Sequence, residues 1–163
     1  MIILGIDPGY AIIGYGLIEK KGSKLTALQY GAITTKAHTP LEQRLSIINT
    51  DIKKILSEFN VEEVAIEELF FNKNTKTAIA VAQARGVLVA ASYEACKNVY
   101  SYTPAEIKSG VTGFGQATKS QIQFMVTKLL NLPKPPKPDD TADALAVAIC
   151  HANSYKLKYS TRA

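Results

Sequence analysis

Four acidic residues stand where their neighbours are apolar. Asp7 ends the strand-forming run IILGID and is followed at once by Pro8-Gly9. Glu67 closes VAIE in the same way, and Asp140 and Asp143 lie three apart in PDDTADALAVAICHA. A carboxylate beside a core is expensive unless something compensates it. Taken singly, most of these acids have an ordinary reading. Asp before Pro-Gly is a common turn residue, Glu67 can belong with Glu62, Glu63 and Glu68 to solvated strand ends, and Asp139 or Asp140 can cap a helix. Asp143 is different, because it lies about a turn inside an otherwise apolar helix, on the same face as Asp140.

Carboxylates brought together from a first strand, a later strand end and a helix start repel one another, and the helix dipole offsets only part of that. Mg²⁺ removes the difficulty, since it prefers a few carboxylates completed by water and phosphate oxygens. Two such ions about 4 Å apart activate a water and stabilise the leaving oxygen of a phosphodiester. The set therefore points to metal-assisted phosphoryl chemistry. No Walker-type phosphate loop, nucleophile elbow or His-Glu-x-x-His motif offers another chemistry. His151 lies too far along its helix from Asp143 to join the same metal, and is expected to be a surface or capping histidine.

The elements that must hold these acids follow from periodicity. Strands are expected at 2–7, 11–19 and 25–34, with KKGSK as the hairpin turn. A helix opens at Pro40 and runs to about Phe59, with Leu41, Leu45, Ile48, Ile52, Ile55 and Leu56 as its apolar stripe. VEEVAIEE reads as a short buried strand, LFFNKNTKT as a loop, and residues 77–96 as a long apolar helix. NVYSYTP is a fifth strand, followed by a short helix near 105–109, the loop VTGFGQAT, and a helix over 119–130. The loop NLPKPPKP aims a last helix over 140–152, and residues 154–163 form a loose basic tail. This is a mixed-sheet α/β layout with one domain over residues 1–153. Gly5, on the same side of its strand as Asp7, is expected to let a metal and a nucleic-acid backbone approach.

Among 163 residues, 19 are basic and 14 acidic, giving a net charge of +5. Lysines gathered in loops around buried acids suit a polyanionic substrate. No stretch approaches the length of a membrane span. The amino terminus enters a strand at once, without a signal segment, so a cytoplasmic protein is expected. Cys96 and Cys150 match no metal-ligand spacing and read as reduced core thiols.

The segments GIDPGYAIIGYG, AIEELFFNKN, QARGVLVAA, YTPAEIKSGVTGFGQATKSQI and DDTADALAVAICH follow one another in the order of the motifs of the RuvC family of bacterial Holliday-junction resolvases. The resemblance covers residues 1–153. It implies a ribonuclease-H-like fold, a five-stranded mixed sheet flanked by helices. It implies a Mg²⁺-dependent homodimer, with two ions per site and Mn²⁺ as a substitute, cutting opposed strands of a four-way DNA junction at symmetrical positions. Partnership with the RuvA–RuvB branch-migration machinery and preference for a short T-rich core sequence are implied as well. The family's metal ligands fall on Asp7, Glu67, Asp140 and Asp143, with no departure at those positions.

Next to Glu67, Phe70 and Phe71 share a loop with Lys73 and Lys76, a mixture that suits stacking at an unpaired junction centre. The resemblance favours Phe70 for stacking and makes Lys108 and Lys119 phosphate contacts. Arg85 of QARG either packs its stem in a dimer interface or touches the backbone. The apolar helix 77–95 is the expected dimer surface. Two other readings compete. A nuclease of the same fold acting on RNA or damaged duplex lacks a use for the Phe–Lys loop. An actin-like ATPase, whose first strand can end in a similar Gly-x-Asp turn, needs two such domains and a longer chain.

Overall fold

The computed structural model describes residues 1–69 and 75–159, with side chains for 1–69 and 77–154. Five strands, β1 (Ile2–Asp7), β2 (Ile12–Lys21), β3 (Lys24–Thr34), β4 (Glu63–Glu67) and β5 (Val99–Tyr102), form one sheet in the order β3-β2-β1-β4-β5. The first three run antiparallel as a meander, while β4 and β5 join parallel to β1. The helices are α1 (Leu41–Glu58), α2 (Thr75–Cys96), α3 (Pro104–Thr112), α4 (Lys119–Leu129) and α5 (Asp139–Tyr159). The chain thus has the five-stranded mixed sheet flanked by helices that its sequence announces.

Alternation along β1 and β4 divides the core into two layers. Leu4, Ile6, Val64 and Ile66 pack with Ile48 and Ile52 of α1 and with Ala84 and Leu88 of α2. Ile3 and Ala65 face the other way, against Leu145, Ala148 and Ile149 of α5 and against residues of α3 and α4. Because Ile6 pairs with Ile66 in the parallel register, Asp7 and Glu67 come next on neighbouring strand ends and on the α5 side.

Helix α5 lies directly on β1 and β2. Its middle, from Ala144 to Cys150, is almost completely buried, which is why nearly all of that segment is apolar. The helix can approach because glycines face it. A Cβ on Gly5 would fall 2.1 Å from the Ala144 carbonyl oxygen, and one on Gly14 would fall 1.9 Å from that of Asp140. This corrects the expectation for Gly5. The space above it is filled by helix backbone, not left open for a metal or nucleic acid.

Several boundaries also differ, the hairpin among them, since β2 runs on to Lys21 and β3 starts at Lys24. Thr103 and Glu106 form a reciprocal capping box, and Gly113 closes the helix in a left-handed conformation, so α3 is longer than 105–109. Helix α2 starts at Thr75, inside the expected loop. The expected tail begins as a continuation of α5 to Tyr159.

Candidate active site

The parallel strands β1 and β4 end side by side at Asp7 and Glu67, and α5 begins above them. A site at the carboxyl ends of parallel strands is where open α/β sheets hold their ligands. A cleft of about 250 Å³ is lined there by Asp7, Glu67 and Asp143, with Lys108 of α3 and Lys119 of α4. Asp140 is not among its lining residues, but its charge acts on both Asp7 and Asp143.

Burial and crowding push the Asp7 carboxyl up to about 8, with Glu67, Asp143 and Asp140 as the repelling charges. Burial also raises Glu67, and Asp143 adds to the effect, while a hydrogen bond from Asp7 and the charge of Lys108 work against it. The interaction between the two carboxyls raises Asp7 and lowers Glu67, the sense in which Asp7 is the one to keep a proton. Asp143 is raised by burial and opposed by Lys119. The Lys119 ammonium lies 3.3 Å from Asp143 and 3.5 Å from Asp139. Burial acts to lower the Lys119 pKa, and those two carboxylates outweigh it and raise it.

Lys119, paired with Asp143, and Lys108 supply the positive charge beside these acids. Among the described residues no three acidic, histidine or cysteine side chains converge closely enough to ligate an ion as they stand. The donor set nonetheless fits a hard divalent cation, being oxygen-only and carboxylate-rich. Burial, with repulsion from Glu67, Asp143 and Asp140 added to it, raises the Asp7 pKa, and a bound cation would relieve both.

Residues 3–151 match the family model described as crossover junction endodeoxyribonuclease RuvC. The chain belongs to the RuvC family. It is 60% identical over 158 residues to the RuvC of Clostridioides difficile, covering 97% of this chain and 94% of that one. Identity to the RuvC of Halothermothrix orenii is 53% over 164 residues, covering 99% of both chains. The fold superimposes with a TM-score of 0.91 on T. thermophilus RuvC in complex with a Holliday junction substrate, at 34% identity over 97% of this chain and 96% of that one. A yeast mitochondrial Holliday junction resolvase shares the fold at a TM-score of 0.68 and 14% identity, covering 98% of this chain and 83% of that one.

Of the sequence-predicted RuvC residues, Phe70 and Lys73 lie outside the described residues, as does the side chain of Lys76. Two other residues have clearer places than the sequence suggested. His151 is fully buried, not a surface or capping residue. Its Nε2 lies 2.5 Å from Glu63 and its Nδ1 lies 2.8 Å from the Tyr102 hydroxyl. Burial lowers its pKa, opposed by Glu63. A neutral ring donates to the Glu63 carboxylate and accepts from Tyr102, which satisfies all three groups.

Arg85 bonds within its own chain, a place that neither of its two sequence readings named. Its Nε donates to the Glu67 carbonyl at 3.0 Å and its Nη2 to the Ser101 hydroxyl at 2.8 Å, tying α2 to the ends of β4 and β5. Arg85→Ala is expected to destabilise the protein by about 2 kcal/mol, the range for hydrogen bonds from a charged donor. Arg85→Lys should recover only part of this, because an ammonium does not reproduce the two-pronged geometry. Urea unfolding in EDTA measures both, and an unchanged midpoint for Arg85→Ala would remove the tie.

Proposed function

We propose that this chain resolves four-way DNA junctions by paired, symmetrical strand cuts, through metal-assisted hydrolysis of a phosphodiester. What carries the reading is a three-carboxylate cleft between two lysines in a chain of the RuvC family. The likeness to RuvC seen with its junction supports the choice of substrate.

Asp7, Glu67, Asp140 and Asp143 would hold the divalent ions, Mg²⁺ or Mn²⁺. When bound, such ions supply a nucleophile at neutral pH and neutralise charge on the leaving oxygen. The chain's own residues prepare for this. Asp7, whose pKa is raised by burial and by its acidic neighbours, would lose its proton on holding such an ion, so that metal binding would release protons at neutral pH. Asp143 gives up Lys119, whose ammonium is then available to a phosphate oxygen. Lys108, near Glu67, offers a second cation to the same strand. Phe70 stacks at the junction centre, with Lys73 and Lys76 against its backbone.

One such site per chain supplies one cut, so two opposed cuts call for a two-fold dimer. Helix α2 is its surface: Ile79 and Tyr93 leave large apolar area uncovered on it. Residues 1–153 form the nuclease domain and 154–163 a basic tail. Work alongside RuvA–RuvB in the cytoplasm completes the reading. Among the described residues no helix is long and apolar enough to cross a membrane.

A synthetic mobile four-way junction, incubated with and without Mg²⁺ and read on a denaturing gel, tests the proposal. Paired cuts at related positions are expected with Mg²⁺ only, and far less cutting of linear duplex or RNA–DNA hybrid. Equal cutting of linear duplex would overturn junction selectivity. Junction affinity should fall steeply with salt, and Lys108→Ala and Lys119→Ala should each flatten the slope by about one unit as one phosphate contact is lost.

A further inference from the structure

The first turn of α4 separates two hollows. On one side is the acidic cleft, and on the other a cavity of about 360 Å³. Both helices around the cleft serve both spaces. Helix α3 sends Lys108 to the cleft and Thr112, one turn on, to the cavity. Helix α4 sends Lys119 to the cleft and its next two residues, Ser120 and Gln121, to the cavity.

The cavity's other walls include Phe114 and Phe124, which are 57% and 58% exposed. These two large aromatics line one hollow, are open to water and belong to neither buried core cluster. No carboxylate lines the cavity. Lysines flank it instead: Lys119 at the start of α4, and Lys128, whose ammonium lies 5.6 Å from the centre of the Phe124 ring.

Gln121 adds a directed polar group. Its Oε1 accepts the Thr118 backbone N–H at 2.8 Å in a capping box, which fixes the side chain and leaves the amide NH₂ as a donor. Aromatic faces, a fixed amide donor, lysines on both flanks and no acid suit a flat heterocycle on an anionic backbone. The cavity has room for one base with part of its sugar.

We propose that this cavity is a base-docking subsite, taking one unpaired nucleobase of the strand whose phosphate lies at the acidic cleft. The subsite rests on the junction-cutting reading and adds to it a place where the chain grips the cut strand beside the reacting bond. Stacking against Phe114 and Phe124 holds the base, and Gln121 donates to a ring nitrogen or carbonyl. The neighbouring phosphate is thereby seated between Lys108 and Lys119.

The test uses Phe114→Ala/Phe124→Ala and junctions carrying 2-aminopurine at successive positions around the cut, bound in Ca²⁺. With the parent chain, fluorescence should change at a position flanking the cut, and the double variant should lose that change. In Mg²⁺ its kcat/KM on the junction should fall about tenfold or more, with the salt slope of binding unchanged, because stacking releases no counterions. Both side chains are exposed, so melting temperatures should agree. A double variant matching the parent in fluorescence and cutting, while the parent cuts junctions normally, overturns the subsite alone. The same result with altered sedimentation assigns the two aromatics to a protein interface and also overturns it. A parent chain that neither binds nor cuts junctions overturns the junction reading, and the subsite with it.

Discussion

Asp7→Asn should bind four-way junctions at least as tightly as the parent, cut them slower by about three orders of magnitude or more, and unfold at a higher temperature in EDTA. The loss of cutting follows from removing a charged oxygen donor at the end of β1, where the rigid strand holds it against Glu67. Binding persists because it depends on lysines, and one less negative charge in the cleft favours a phosphate backbone.

The gain in stability follows from the same burial. In the folded protein the Asp7 carboxyl is raised to about 8, from an ordinary 3.8. The folded state therefore keeps a proton that the unfolded chain gives up. As pH rises from about 4 to about 8, the metal-free parent loses stability through this group, and above that range the full penalty of an ionised, crowded carboxylate remains. Asparagine does not titrate, so the variant escapes that part of the decline. Its advantage in melting temperature should widen between pH 5 and pH 8 in EDTA, and Mg²⁺ should narrow it by stabilising the parent more. Parallel pH profiles for the two proteins would mean that Asp7 is not held against its neighbours.

Much of this site could be read before any coordinates. Alternation puts Asp7 with Gly5 and Glu67 with Ala65 on one face of each strand, and the spacing of Asp140 and Asp143 puts them on one face of a helix, while the Ile6–Ile66 register makes the two strand faces the same. What periodicity cannot give is which element covers that face. Lys119 meets Asp143 only because α4 packs against α5. His151 looks like a polar residue near a helix end, and its burial depends on Glu63, 88 residues away, lying opposite it. Arg85 ties α2 to the ends of β4 and β5, a contact that neither of its two sequence readings contained. Lys108 was already placed beside the cut strand by family resemblance, and the cleft brings it to Glu67. Phe70 and Lys73 keep their roles as proposals.

Gly14 is the clearest case of a residue whose importance lies in what it lacks. Gly14→Ala is expected to destabilise the protein by about 1–3 kcal/mol and to slow junction cutting by about 100-fold. The new methyl carbon would fall 1.9 Å from the Asp140 carbonyl oxygen and 2.5 Å from its carbonyl carbon. These atoms belong to helix backbone, so no side chain can swing aside, and the start of α5 must lift from β2. Asp140 and Asp143 ride on that turn, whereas Asp7 and Glu67 stay with the sheet, so the acids separate. A displacement near 1 Å suffices, since misplacement of that size costs on the order of 100-fold in rate. Gly5→Ala presses on the same helix further along, at Ala144 and Ala148. It should destabilise comparably. The two effects on Gly14→Ala can be separated by measuring cutting at a temperature where circular dichroism shows the variant folded, and by raising Mg²⁺. A site with separated ligands should need more metal to reach its maximum rate, whereas a merely less stable protein should need the parental concentration. A folded Gly14→Ala protein cutting at the parental rate would mean that α5 is not what sets the distance between the acids.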